Sequence, residues 1–258
     1  LIYRGVDEER ARLLAHISGG RPGYARRLVD DVTLLEKRDE RLNDLQTLLP
    51  AARVEKFSYA DKLSKDKDAM RQAITIWLSY WRDVMLRVAG AHADGVHVHP
   101  LNTSTYLRET VLANLATGAA TTGRSVADLE VIVPAFIVAG DSDNDRSRWR
   151  ELARMQIAFY GSTPNYSFIF DQIDRPGTTA ALRERQRQGD LAGMAALIDD
   201  EMLAEFVIEG SWSRIADAIA DRYDGIATRV VNYFGAIAWA DEPVSMRPWR
   251  DITRALAT

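Results

Sequence analysis

The sequence predicts two structures in tandem: an all-helical segment up to about residue 90, then an α/β segment built on a parallel sheet. Three observations predict this. Apolar residues recur every three or four positions in the first part, whereas the second alternates continuous apolar runs with helical stretches. All five lysines (Lys37, Lys56, Lys62, Lys65 and Lys67) precede the seam, and every later Lys/Arg position is an arginine. The charge changes there too: residues 1–90 hold 17 Lys+Arg against 14 Asp+Glu, a net of +3, and residues 91–258 hold 16 against 23, a net of −7.

In the first part, Asp7–Ile17 places Leu13, Leu14 and Ile17 at helical spacing among charges. Ser18-Gly19-Gly20-Arg21-Pro22-Gly23 ends that helix and starts the next over Tyr24–Asp31. This turn has glycines, but it lacks the Gly-Lys-Ser/Thr of a phosphate loop and the strand before it, so it reads as a helix–helix connector. Leu34–Leu49 sets Leu35, Leu42, Leu45, Leu48 and Leu49 on one stripe, and Phe57–Leu63 is short and amphipathic. Met70–Val88 is the strongest helix, with Ile74, Trp77, Leu78, Trp81, Met85 and Val88 at three- and four-residue intervals. Trp77 and Trp81 on that face read as core, and Lys62, Lys65 and Lys67, interleaved with Asp61, Asp66 and Asp68, as a solvated loop. The expectation is about five helices packed as a bundle.

In the second part, Gly95–His99 is a short alternating strand, and Thr103–Leu115 is a helix capped by Thr103 or Ser104. Leu129–Val138 is an apolar strand of the kind buried in a parallel sheet. Helices are expected over Asp145–Tyr160, Thr178–Gln188, Ala192–Phe206 and Ile215–Tyr223, with a further apolar run at Phe168–Ile173 and a last strand at Thr228–Phe234. That makes three convincing strands.

Composition narrows the function. No apolar run reaches the ~20 residues of a membrane span; the longest, Val131–Ala139, is broken by Pro134. The chain has no cysteine, which removes disulfides, thiolate chemistry and the usual structural zinc sites, and fits a cytoplasmic protein. A net charge of −4 gives no direct nucleic-acid signal. The opening Leu-Ile-Tyr-Arg, with neither an initiator Met nor a signal-peptide pattern, reads as a cut end. Serine-hydrolase, zincin and dinucleotide-fold motifs are absent.

His97 and His99, two apart, share one face at a strand's carboxyl end, where they read as pocket residues for a cofactor, as packed or capping side chains, or as a metal pair with His92 or a carboxylate. Gly161-Ser162-Thr163-Pro164 has the form of a helix stop; its functional reading is a loop over a pocket, with Tyr160, Ser162, Thr163 and Tyr166 as substrate contacts. Asp199, Asp200 and Glu201 resemble paired carboxylates, but a helix start favours acids anyway.

Two resemblances follow. "LLAHISGGRPGYARRLVDD", "LLEKRDERLNDLQTLL" and "IWLSYWRDVMLR" resemble the collar region of the delta-prime subunit of the bacterial DNA polymerase III clamp loader. That resemblance covers residues 1–90 and implies a non-catalytic module with clamp-loader subunits as partners. "AHADGVHVHPLNTSTYLRETVLANL", "GRSVADLEVIVPAFIVAGD", "RMQIAFYGSTPNY" and "IDDEMLAEFVIEGSW" resemble the C-terminal portion of the luciferase-like oxidoreductases, in particular those using coenzyme F420. That resemblance covers residues 91–258 and implies a partial TIM-type barrel, last strands only. It also implies hydride transfer between a small-molecule substrate and F420 or FMN, with no resident metal. The early strands are missing, and Ile76–Asp83 takes the place of the glycine-containing segment that helps hold the coenzyme phosphate. Together the two imply a chimera, a truncated fusion or a misassembled reading frame. Uncovered strand edges imply a homo-oligomer that completes the sheet.

Overall fold

Helical periodicity is realised in the described residues of the first part. The computed structural model describes residues 5–18, 22–241 and 246–256. It begins with α1 (Glu8–Ser18), α2 (Pro22–Asp30), α3 (Thr33–Leu48), α4 (Arg53–Ser64) and α5 (Lys67–His92). The connector predicted between α1 and α2 falls at residues 19–21, outside the described residues. Asp66 caps α5, its carboxylate accepting from the Asp68 and Ala69 N–H groups at 3.0 Å each. Helices α3 and α4 pack on the first half of α5, where Trp77 donates its indole N–H to the Arg41 carbonyl at 2.7 Å.

Helix α5 crosses the predicted seam at residue 90 without a break. Its last turns meet a second helical run, made of α6 (Ser104–Tyr106), a π-helical turn (Leu107–Leu112) and α7 (Ala113–Ala120). Gly118 and Gly90 are why the two helices come so close. A Cβ at Gly118 would stand 1.9 Å from the Arg87 carbonyl oxygen, and one at Gly90 would stand 2.2 Å from that of Leu115.

One expectation is overturned here. The apolar stripe of α5 reads as core in the sequence, yet Ile74, Leu78, Trp81, Met85 and Val88 are exposed. Helix α5 is instead covered on its other side, through Ala73, Gly90 and Ala91.

The sheet has four strands, β1 (Gly95–His97), β2 (Glu130–Ala139), β3 (Val207–Gly210) and β4 (Arg229–Asn232), all parallel to β2. Glu130 and Ile132 bond to the β1 side and Gly140 to Gly210, whereas Val131 and Ala135 bond to Thr228 and Tyr233. So β1 and β3 follow each other along one edge of β2, and β4 takes the other. Pro134 sits where the first edge changes partner, and having no N–H it loses no ladder bond there.

Both faces of β2 are buried, which explains its continuous apolar run. Val131, Val133, Ala135 and Ile137 pack with Leu115 of α7 and with Ile215 and Ile219 of α13 (Ile215–Tyr223). Phe136 and Val138 face the opposite core, with Ile157 of α8 (Asp143–Gly161) and Phe170 of α9 (Ser167–Gln172). The remaining helices are α10 (Thr178–Arg187), α11 (Leu191–Ala196), α12 (Asp200–Phe206), α14 (Gly235–Asp241) and α15 (Met246–Leu256).

The sequence misses β3, because four residues after a helix carry too little pattern. The predicted helix Ala192–Phe206 is two helices, and the apolar run at Phe168–Ile173 is helical. None of the described helices is long and apolar enough to cross a membrane.

Candidate active site

The carboxyl end of β1 leads into His99-Pro100, and the carboxyl end of β4 leads into Tyr233-Phe234. Both ends converge on the last turns of α8. His99 stacks on Tyr166, with ring centroids 4.5 Å apart and planes at 24°, and meets Tyr160 edge to face at 4.6 Å and 78°. The Tyr160 and Tyr233 hydroxyls are 2.8 Å apart. Tyr233 in turn sits edge to face on Phe136, at 4.9 Å.

Each position has a local cause. His97 ends β1 opposite Ile132 of β2, and His99 lies two residues beyond the strand. Asn102, buried to 4% exposure, sends its amide N–H groups to the carbonyls of His99 (2.9 Å), Pro100 (3.2 Å) and Pro134 (3.4 Å). It thereby pins the His99–Leu101 turn into the gap between β1 and β3. Tyr160 stands on the last full turn of α8, and Tyr166 ends the short 3₁₀ turn opened by Pro164.

The electrostatics follow from burial. Burial pushes the His99 imidazole below its ordinary pKa, so the neutral ring is favoured. Its Nδ1 accepts the Leu101 N–H at 3.1 Å, which leaves the proton of the neutral ring on Nε2. Burial, helped by the hydrogen bond to Tyr160, pushes Tyr233 up to about 12. Burial also raises Tyr166. The site is thus a cluster of neutral rings and hydroxyls. At its margin Arg82 lies 5.0 Å over Phe168 and 5.7 Å over Tyr106, held by Asp83 at 3.1 Å.

Of the six site residues expected from sequence, the structure brings His99, Tyr160 and Tyr166 together. His97 is exposed at the end of β1, away from the ring cluster. Ser162 is buried at the end of α8, its hydroxyl spent on the Phe159 carbonyl at 2.8 Å. Thr163 is exposed on the far side of that helix stop. Both fill the helix-terminating role, so neither lies in the ring cluster. Asp199 caps α12 through the Met202 N–H at 2.8 Å, Asp200 pairs with Arg154, and Glu201 pairs with Arg175. These carboxylates are helix-start and ion-pair groups. Among the described residues no three His, Asp or Glu side chains are arranged to hold a metal.

Sequence reasoning missed Tyr233 and Asn102. Tyr233 had one usable signal: it stands near the carboxyl end of the predicted strand Thr228–Phe234, where parallel sheets carry their sites. Asn102 had none, since a short polar residue after a proline reads as an ordinary turn.

The luciferase-like monooxygenase family profile matches residues 35–229. An uncharacterized protein of Mycobacterium tuberculosis is 34% identical over 154 residues, which is 60% of this chain and 45% of that protein. The 5,10-methylenetetrahydromethanopterin reductase of Methanopyrus kandleri is 27% identical over 149 residues, 57% of this chain and 41% of that protein. The chain therefore spans less than half the length of the curated relatives it matches. Among solved structures, the coenzyme F420 dependent tetrahydromethanopterin reductase from Methanopyrus kandleri superposes with a TM-score of 0.46 at 22% identity, over 58% of this chain and 42% of that one.

Proposed function

This chain belongs to the luciferase-like monooxygenase family, and from that premise we propose that it is an oxidoreductase segment that holds a small-molecule substrate beside coenzyme F420 or FMN. The observation that carries the reading is His99 between Tyr160 and Tyr166 at the carboxyl ends of parallel strands.

The residues present suit one part of such a coenzyme. The stacked His99–Tyr166 pair is a flat surface of the kind a tricyclic ring lies on, and the His99 Nε2–H is a neutral donor at its edge. The phosphate end finds less, because α5 runs as unbroken helix through Ile76–Asp83 and offers no glycine loop. When bound, the coenzyme supplies hydride transfer. The chain's own part is to orient and to exclude charge. His99 keeps its proton on Nε2, and Tyr160 and Tyr233 share one hydroxyl proton along their contact, leaving a second to donate towards a substrate oxygen.

A fluorescence titration of the folded chain with F420, and separately with FMN, tests this. Saturable binding in the micromolar range, about −8 kcal/mol, that Tyr166→Ala weakens is expected. Absence of binding up to about millimolar coenzyme (−4 kcal/mol) overturns the reading.

A second reading, a non-catalytic module that docks clamp-loader subunits, has one observation in its favour. The exposed stripe Ile74, Leu78, Trp81, Met85 and Val88 on α5 has the 4-3-4-3 spacing of a helix-pairing seam. Sedimentation with and without those subunits tests it: complex formation abolished by Trp81→Asp supports docking, and self-association would make a second copy the occupant.

A further inference from the structure

Helix α5 leaves one apolar face uncovered. Ile74, Leu78, Trp81, Met85 and Val88 follow one another at four- and three-residue steps, and all are exposed. A second uncovered apolar face lies where α11 packs on α8. Met155 and Phe159, one turn apart on α8, and Leu191, which opens α11, are 51%, 58% and 63% exposed. Met155 and Leu191 wall a hollow of about 560 Å³, whose other side is only Ala192, Ala195 and Ala196. A second hollow of about 510 Å³ adjoins it, and the two share Glu151 and Arg154. Together they form a groove along α8. No residue of the ring cluster lines it.

The two faces carry opposite charge. Two arginines, Arg150 and Arg154, stand in the groove against three carboxylates, Glu151, Asp200 and Glu209, so its lining is net −1. Arg154 alone serves both Glu151, at 3.2 Å, and Asp200. On α5, Arg87 next to Val88 is exposed and donates its Nε to the neutral Asn114 Oδ1 at 2.9 Å. It meets no carboxylate among the described residues. The same signs hold for the whole segments, +3 for residues 1–90 and −7 for residues 91–258. Pairing stripe with stripe would bring two basic segments together, whereas stripe in groove brings basic to acidic.

We propose that the α8–α11 groove is the docking site for helix α5 of a second copy of this chain, so that copies associate head to tail. The apolar stripe enters the groove with Trp81 at its centre, against Met155, Phe159 and Leu191, and the basic side of α5 lies along the acidic rim. Both faces are uncovered on the same molecule, so neither fills the other within one chain. The contact is heterologous, stripe to groove, and each copy keeps one free face of each kind. One helix in one groove buries less than the roughly 800 Å² per partner of a stable interface, which sets the affinity in the micromolar range. The association uses no sheet edge and rests on neither the oxidoreductase nor the clamp-loader reading.

Sedimentation of the full chain, alone and as two variants, tests this. The average mass of the parent is expected to rise above 28.9 kDa with concentration, and to fall back as salt is added. Trp81→Asp spoils the stripe and keeps the groove; Leu191→Asp spoils the groove and keeps the stripe. Each alone is expected to stay at the monomer mass. Mixed in equal amounts, they are expected to form a complex of two chains and nothing larger, because one intact stripe then meets one intact groove. That rescue also shows that both variants are folded. Met85→Asp with Phe159→Asp, also at exposed positions, repeats the test with independent substitutions. The proposal is overturned if the parent stays monomeric up to about millimolar chain. It is equally overturned if Leu191→Asp and Phe159→Asp associate like the parent, which would mean stripe on stripe, or if every variant still associates, which would mean the sheet edges. Two variant pairs that stay monomeric when mixed, with circular dichroism unchanged from the parent, also overturn it.

Discussion

Tyr160 and Tyr233, 73 residues apart, join helix α8 to the end of strand β4 through hydroxyls 2.8 Å apart. Burial first, and this bond second, push Tyr233 up to about 12. A raised phenol pKa means that folding favours the neutral form. The associated stability is therefore complete below the ordinary value of 10.0 and is lost as pH climbs through about 12. In an ultraviolet titration, Tyr233→Phe should remove one high-pH phenol. Tyr160→Phe should move that phenol towards its ordinary range while leaving Tyr59, itself pushed to about 12 by burial and Asp44, in place. If Tyr160→Phe leaves every midpoint unchanged, the pair does not exist in solution.

His99 gives the opposite sign. Burial depresses its pKa, so its contribution is present above the ordinary value of 6.5 and is lost as pH falls through the lowered value. The imidazole signals followed by NMR should show His99 titrating below 6.5. His99→Phe, which keeps the stack on Tyr166, should flatten the acid limb of the stability curve. A His99 midpoint at or above 6.5 would contradict the buried, neutral ring on which the proposed site rests.

How far these features were legible differs from residue to residue. Strand β2 announced itself because burial on both faces requires a run without polar side chains, and Val131–Ala139, interrupted only by Pro134, is one. The strand β3 was invisible, since Val207-Ile208 continues the apolar spacing of α12 and only the sheet tells it to extend. The α5 stripe was read with the correct period and the wrong side: periodicity identifies a face but not what covers it. In the site, His99, Tyr160 and Tyr166 were found from strand ends and a helix stop, both local signals. Tyr233 needed the parallel pairing of β4 with β2, and Asn102 needed the gap that Pro134 leaves between β1 and β3. Local sequence marks Tyr233 only as a position at a strand's end, and Asn102 not at all.

Glu209, on β3, ties the sheet to α8. Its carboxylate takes Arg146 Nε at 3.0 Å and Arg150 Nη2 at 2.6 Å, and Arg150 also reaches Asp143 at 2.5 Å. The hydrogen bond from Arg150 is the main reason the Glu209 pKa lies below its ordinary 4.5. The stabilisation is present above that value and is lost as pH falls through the lowered one. A double-mutant cycle of Glu209→Gln with Arg150→Met, followed by urea unfolding, should give a coupling of about 0.5–1 kcal/mol near neutrality, the size expected of a half-exposed pair. The coupling should vanish once Glu209 is protonated. Equal coupling in acid and at neutrality would mean the two residues interact through packing alone.

The close approach of α7 to α5 sets the last prediction. Gly118 of α7 stands so near α5 that a methyl group there would lie 1.9 Å from the Arg87 carbonyl oxygen and 2.7 Å from its Cα. These are backbone atoms, so no side-chain rotation relieves the clash, and the helices must part. Separation would open the core that Leu115 and Ala119 share with β2 and strip the Arg87 Nε bond to Asn114 Oδ1, now 2.9 Å. Gly118→Ala should therefore cost about 3 kcal/mol or more despite its gain in helix propensity. Gly23→Ala, with nothing within 4 Å of the added methyl, should be neutral or stabilise by up to about 1 kcal/mol. Because α5 runs unbroken from the first helices to the sheet, the loss should appear in the main cooperative unfolding transition and not in a separate minor one. Gly118→Ala melting like the parent, or a loss confined to the signals of α1–α4, would show that α5 is not held to the sheet by this contact.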